Sequence, residues 1–118
     1  MSNPSGYPRA KLSKLRDIGW SLWDPIGLLP PDVSWSDEQC HAYANEYDGY
    51  LRFAASRLRD GASHEEVVDY LVTAETEYMG LSKKPTTRAR AEATVAAIAA
   101  ADGLWTWPDE QGRFSDQE

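Results

Sequence analysis

At 118 residues the chain has the length of one domain, and its five Trp and six Tyr give a modest apolar fraction of 42% large rings to bury. A single cysteine excludes an internal disulfide, and with only two His it excludes a Cys/His zinc site. No apolar run approaches the ~20 residues that span a bilayer, and a net charge of −7 opposes direct binding to nucleic acid.

The acidity is uneven. Residues 36–80 carry three Arg against ten Asp/Glu, a net −7, and residues 108–118 carry one Arg against four, a net −3. Residues 1–35 and 81–107 are weakly basic, at +1 and +2. Such a field favours a basic partner, and it also serves plain solubility.

Residues 1–7 are polar, without the apolar stretch of a secretory signal, and are expected to be loose; a cytoplasmic location is the default. Pro8 suits a first helical turn, and the pattern predicts a first helix over residues 8–23. Leu12, Leu15, Ile18, Leu22 and Trp23 form its apolar stripe, Trp20 and Trp23 share a side, and Arg9, Lys11, Lys14 and Arg16 lie on or beside the exposed side. Asp24-Pro25 ends it, because proline disfavours helical geometry before it and lacks an N–H. Gly27 can supply a positive φ. The apolar Ile26, Leu28 and Leu29 are expected to fold the turn back onto the core, with Asp24 accepting backbone N–H bonds after Pro25. The alternative role for Asp24 is a ligand or acid/base group.

After the Pro30-Pro31 connection, Ser34 or Ser36 is expected to cap a second helix over residues 37–59, with Asp37 and Glu38 in its first turn. Cys40, Tyr43, Ala44, Tyr47, Tyr50, Leu51, Ala54, Ala55 and Leu58 make a broad apolar face. Gly49 inside it costs ~1 kcal/mol against Ala, which suggests that another backbone packs close there. Asp60-Gly61 closes this helix. Ser63-His64-Glu65-Glu66 is a capping box that opens a third helix, with Val67, Val68, Tyr70, Leu71, Ala74, Tyr78 and Met79 inward and Gly80 as its stop. The short link makes the second and third helices a hairpin. A basic loop with Lys83, Lys84 and Pro85 follows. Thr86 or Thr87 then caps a fourth helix reaching residue 101, with Val95, Ile98 and Ala99 inward. Leu104-Trp105-Thr106-Trp107 alternates as a short extended segment that lays a Trp on the bundle. Residues 108–118 read as an acidic flexible tail. The expected architecture is an all-α, compact bundle of about four helices over residues 8–107, with an aromatic-rich turn after the first.

The candidate chemistry rests on carboxylates. Cys40 and His41 are helical neighbours pointing about 100° apart, so they form no thiolate–imidazole pair; Cys40 reads as a core residue and His64 as a surface one. No glycine-rich phosphate loop is present. Neither histidine has the Glu three positions before it that di-iron bundles use. No catalytic residue, metal site or cofactor is therefore assigned. Glu75 sits at the edge of an apolar stripe, where it must find a partner or take a raised pKa; Arg16, Arg88 and Arg90 are the candidate partners. Trp23, Asp24, Glu46, Tyr47, Asp48 and Glu75 form a possible ligand or buried ion-pair cluster. Trp20, Trp23, Trp35, Tyr43, Tyr47 and Tyr50 supply either a core or an aromatic binding surface.

Trp23-Asp24-Pro25-Ile26-Gly27, Glu46-Tyr47-Asp48-Gly49-Tyr50, Gly61-Ala62-Ser63 and Glu75-Thr76-Glu77-Tyr78-Met79-Gly80-Leu81, in this order, resemble a family of small uncharacterised bacterial helical proteins. That family carries a WDPIG turn, an EYD-x-Y helix, a GAS cap and an E-x-E-x-MGL helix end. The resemblance covers about residues 12–100 and implies a compact helical fold without known catalytic residues. In size and charge the chain is also similar to immunity proteins of interbacterial toxin systems. The expected function is a non-enzymatic module binding a basic protein, a toxin domain in its sharpest form, through Glu38, Glu46, Asp48, Glu65, Glu66 and Asp69. The alternative is a small enzyme or a ligand- or metal-binding domain that uses carboxylates near the turn.

Overall fold

A computed structural model describes residues 8–108 and 111. The expected loose residues 1–7 and, apart from residues 108 and 111, the acidic tail lie outside the described residues. Among those described are four α-helices: α1 Leu12–Ile18, α2 Asp48–Arg59, α3 His64–Thr73 and α4 Thr87–Ala100. A two-stranded antiparallel sheet, β1 Arg9–Ala10 with β2 Trp105–Thr106, ties the two ends together in the register Arg9 to Thr106 and Ala10 to Trp105. The fold is an all-α bundle. α3 packs chiefly on α4, and α1 and α2 close over one core of Leu15, Trp20, Trp23, Tyr47, Leu51, Val67, Leu71, Val95 and Ile98.

The helix predicted over residues 8–23 differs at both ends. Its first residues pair as β1, and the Lys11 N–H donates to Leu104 O at 2.7 Å. At its other end α1 widens into a π turn, Gly19–Trp23, where the Asp24 N–H reaches Gly19 O at 2.9 Å, five residues back. A π turn holds an extra residue, so it carries Leu22 off the expected stripe, to 37% exposure, and keeps both Trp20 and Trp23 buried. The same device recurs after α3. In the π turn Ala74–Tyr78 the Met79 N–H bonds Ala74 O at 2.8 Å, Glu75 points inward, and Tyr78 is turned out to 64% exposure instead of lying in the core.

The second helix starts late. Residues 37–47 form a 3-10 turn, Glu38–Cys40, and further tight turns, closed by His41 N–H to Glu38 O, Tyr43 N–H to Cys40 O and Glu46 N–H to Tyr43 O. A tertiary bond accompanies these turns. The Trp20 indole N–H takes Ala44 O at 3.2 Å, the carbonyl that an α-helix would offer to Asp48, and the Asp48 N–H turns to Asn45 O instead. The close approach expected at Gly49 belongs to Gly19: Gly49 faces open space, whereas a Cβ on Gly19 would stand 2.5 Å from Leu51 Cδ1. Ala99 is exposed rather than inward.

Local signals fared better. The Ser63 hydroxyl accepts the Glu66 N–H at 3.1 Å, although the Glu66 carboxylate goes to Arg57 rather than back to the cap. Gly27 and Gly61 hold φ of 77° and 98°, as their turns require. Neither Ser34 nor Ser36 caps a helix; the Asp37 carboxylate accepts the Ser34 N–H instead. Thr86 stands at the cap position of α4, but its hydroxyl accepts from Arg90 Nε at 3.2 Å. Cys40 is fully buried, and Trp105 packs against the core. No helix among the described residues is long and apolar enough to cross a membrane.

Candidate functional site

The six residues of the possible cluster divide among three networks and the surface. The first is the turn itself. Asp24 holds φ 28°, an unusual conformation for a residue with a side chain, and its carboxylate fixes it there. Oδ1 accepts the N–H groups of Gly27 and Leu28 at 3.1 and 3.0 Å, and Oδ2 accepts that of Leu29 at 3.2 Å. The Tyr47 hydroxyl donates to Oδ1 at 2.7 Å and accepts from the Ile26 N–H at 3.1 Å. Burial and the bond to Asp24 push the Tyr47 phenol far above its ordinary pKa. Asp24 is thus a turn carboxylate, with its lone pairs taken by the chain.

The second network is the ion pair of Arg16 with Asp48, with bonds of 3.0 and 2.7 Å that join α1 to the start of α2. The Arg16 guanidinium also lies 5.3 Å from the Trp35 ring centroid, while the Trp35 N–H donates to Asp17 at 2.7 Å. These contacts lay residues 24–35 against α1.

The third network surrounds Glu75, which is fully buried. Arg90 is the partner that the sequence left open among three: its two terminal nitrogens meet the two carboxylate oxygens at 3.1 and 2.9 Å. The same guanidinium donates to Trp23 O at 3.0 Å, and the Thr87 hydroxyl donates to Glu75 Oε2 at 2.9 Å. The Lys84 N–H in turn donates to Thr87 Oγ1 at 2.8 Å. Both π turns therefore meet at one buried group. Trp23 O, at the end of the first, is a carbonyl left over where the helix stops, and Glu75 sits in the second. Trp23 Nε1 has no hydrogen-bond partner among the described residues; its ring is held between Tyr47 at 5.4 Å and Tyr50 at 6.0 Å. Thr87 was not foreseen as a carboxylate partner. Its signal is its place, three residues before Arg90 and so on the same side of α4.

Glu46 joins none of these networks and stays exposed. Asp24, Asp48 and Glu75 have separate partners, so the carboxylates do not converge. Among the described residues no group of three or more His, Cys, Asp or Glu could hold a metal ion. Tyr43 donates to Cys40 Sγ at 3.3 Å, a bond that, with burial, raises the phenol pKa.

The acidic residues expected to face a partner divide in two. Asp48 is tied to Arg16, Glu66 to Arg57 at 2.6 Å and Asp69 to Arg88 at 2.9 Å. Glu38, Glu46 and Glu65 are exposed and have no ion-pair partner among the described residues. A shallow open cavity beside the start of α3, lined by His64, Glu65, Val68, Arg88, Glu92 and Val95, brings both charges together.

One surface feature was missed. Phe53 on α2, Tyr70 on α3 and Tyr78 in the second π turn form a ladder of mutually tilted rings, with neighbouring centroids 4.6 and 6.5 Å apart. Phe53 falls outside the apolar face of its helix, at 48% exposure, and a large ring off the stripe was the available signal. Comparison with family models, curated proteins and solved structures finds no match to this chain.

Proposed function

We propose that the protein is a non-enzymatic acidic binding module for a basic protein partner, and that its sharpest form is a cytoplasmic immunity protein neutralising a basic bacterial toxin. One observation carries this reading. Residues 17–51 hold seven Asp/Glu and no Lys or Arg. Three of them, Asp17, Asp24 and Asp48, are engaged with Trp35, with the turn and Tyr47, and with Arg16. Asp32, Glu38 and Glu46 stand exposed with no cation paired to them among the described residues. Exposed carboxylates with no cation paired to them raise the encounter rate with a basic protein and repel acidic ones.

The test is capture by the tagged protein at low and high salt, read by mass spectrometry, followed by reconstitution with the purified partner. The expected result is one basic protein, released by salt, whose activity the captured complex suppresses. Glu38→Lys with Glu46→Lys should weaken reconstituted binding at least tenfold, mainly through slower association, while leaving the thermal transition in place. Capture of no basic protein, or binding indifferent to salt, overturns the reading.

A further inference from the structure

The aromatic ladder is the feature that the bundle leaves unexplained. Its middle ring is fixed. Tyr70 packs against the core, Tyr50 stands close enough to raise the Tyr70 phenol pKa alongside the larger effect of burial, and Tyr50 meets Trp23 edge-on. Its two ends, Phe53 and Tyr78, are open to solvent. Rigid rings anchored from behind are what a binding surface uses, because little side-chain entropy is lost when they are covered.

The rest of the molecule indicates what would cover them. Trp35 has the Arg16 guanidinium 5.3 Å from its ring, and Trp105 and Trp107 share Arg59 at 5.5 and 5.6 Å. These partly exposed rings each carry a cation. Among the described residues none lies over Phe53, Tyr70 or Tyr78. Nearby charge adds to this. Glu77, next to Tyr78, is exposed and has no ion-pair partner among the described residues. The segment 36–80 that carries the ladder holds ten carboxylates against three Arg, of which Arg57 is tied to Glu66, Arg59 lies by the Trp rings, and Arg52, next to Phe53, is exposed. A second copy of the chain is the wrong occupant, since docking two such faces would bring like fields together.

We infer that the Phe53–Tyr70–Tyr78 face of α2 and α3 is the docking surface, and that it receives an arginine-bearing segment of a basic protein, with guanidinium groups over the open rings and Glu77 as their counter-charge. The inference rests on the basic-partner reading above and locates it on the molecule. Ring faces attract cations, by roughly 0.5–2 kcal/mol for each contact depending on desolvation.

The probe is a capped hexa-arginine peptide, with hexa-glutamate as the control, titrated at low salt into the full chain and followed by aromatic and amide NMR. The expected result is saturable shifts centred on Phe53, Tyr70, Tyr78 and Glu77. Phe53→Ser with Tyr78→Ser should weaken binding about tenfold, whereas Tyr78→Phe, which keeps the ring, should leave it within twofold. Both positions are exposed, and an unchanged thermal transition confirms the fold. Binding that persists in the double Ser variant, with shifts centred on Glu38 and Glu46, overturns this surface and leaves the basic-partner reading standing. Binding of neither peptide overturns both. A dimer that Tyr78→Ser dissociates shows a second copy on the ladder and overturns the arginine assignment.

Discussion

Glu75 and Glu66 belong to the same helical stretch, and each meets an arginine from a neighbouring helix, yet the two pairs do different work. Glu75 is fully buried, accepts two bonds from Arg90 and one from Thr87, and shares its arginine with Trp23 O. Glu66 keeps 56% of its side chain exposed and meets Arg57 through one contact. A charge removed from water must have all its bonds made, so the surrounding elements are built around it. A charge left in water gains little from its partner and remains available to another. The difference separates what holds this bundle together from what it offers outward.

The largest expected effect tests the buried side. Glu75→Gln keeps the volume but replaces two charged acceptor oxygens by one neutral carbonyl, so the Arg90 guanidinium loses its counter-charge and one of its two bonds to residue 75. Breaking a buried pair costs 3–5 kcal/mol, and because Arg90 is partly exposed the lower figure applies, ~3 kcal/mol in chemical denaturation. A loss below ~1 kcal/mol would place Glu75 in the same class as Glu66 and erase the distinction.

Tyr47 comes next. Tyr47→Phe removes the hydroxyl that donates to Asp24 and accepts from the Ile26 N–H, leaving a part-buried donor unpaired, at ~1–3 kcal/mol. The same hydroxyl gives a pH signature. Its folded pKa lies above the unfolded value, so its contribution is complete below about pH 10, the ordinary tyrosine value, and falls as pH rises beyond it. Wild type should therefore lose stability in alkali more steeply than Tyr47→Phe. Equal slopes would show that the phenol is not held as described.

These contrasts also explain what could be read from the chain. Asp24 with Gly27, the Ser63 cap and the stop at Gly61 are settled within a few residues, and the sequence carries them openly. So was the need of Glu75 for a partner, because a carboxylate beside an apolar stripe has few alternatives. The misread elements were decided from far away. β1 is a strand only because Trp105 and Thr106 return to it, and in the turns before α2 Trp20 takes the carbonyl of Ala44. The π turns escaped notice because a 3.6-residue period has no place for an extra residue, and each moved one apolar side chain, Leu22 or Tyr78, outward. The close approach went to Gly19 rather than Gly49 because Leu51 lies against α1, which residue spacing within either helix does not reveal.

The smallest expected effect closes the comparison. In a double-mutant cycle of Arg57→Ala and Glu66→Ala, the coupling should fall below ~1 kcal/mol and shrink further in high salt, since both side chains are solvated and the attraction is screened. Arg57 holds a raised pKa through its bond to Glu66, but on an exposed side chain that does not translate into comparable stability. A coupling above ~2 kcal/mol would make the pair a structural clamp between α2 and α3, fixing the spacing of Phe53 and Tyr70 beside it. A small coupling means the ladder is set by the core beneath it. In that case Glu66 can release Arg57 at almost no cost to the fold.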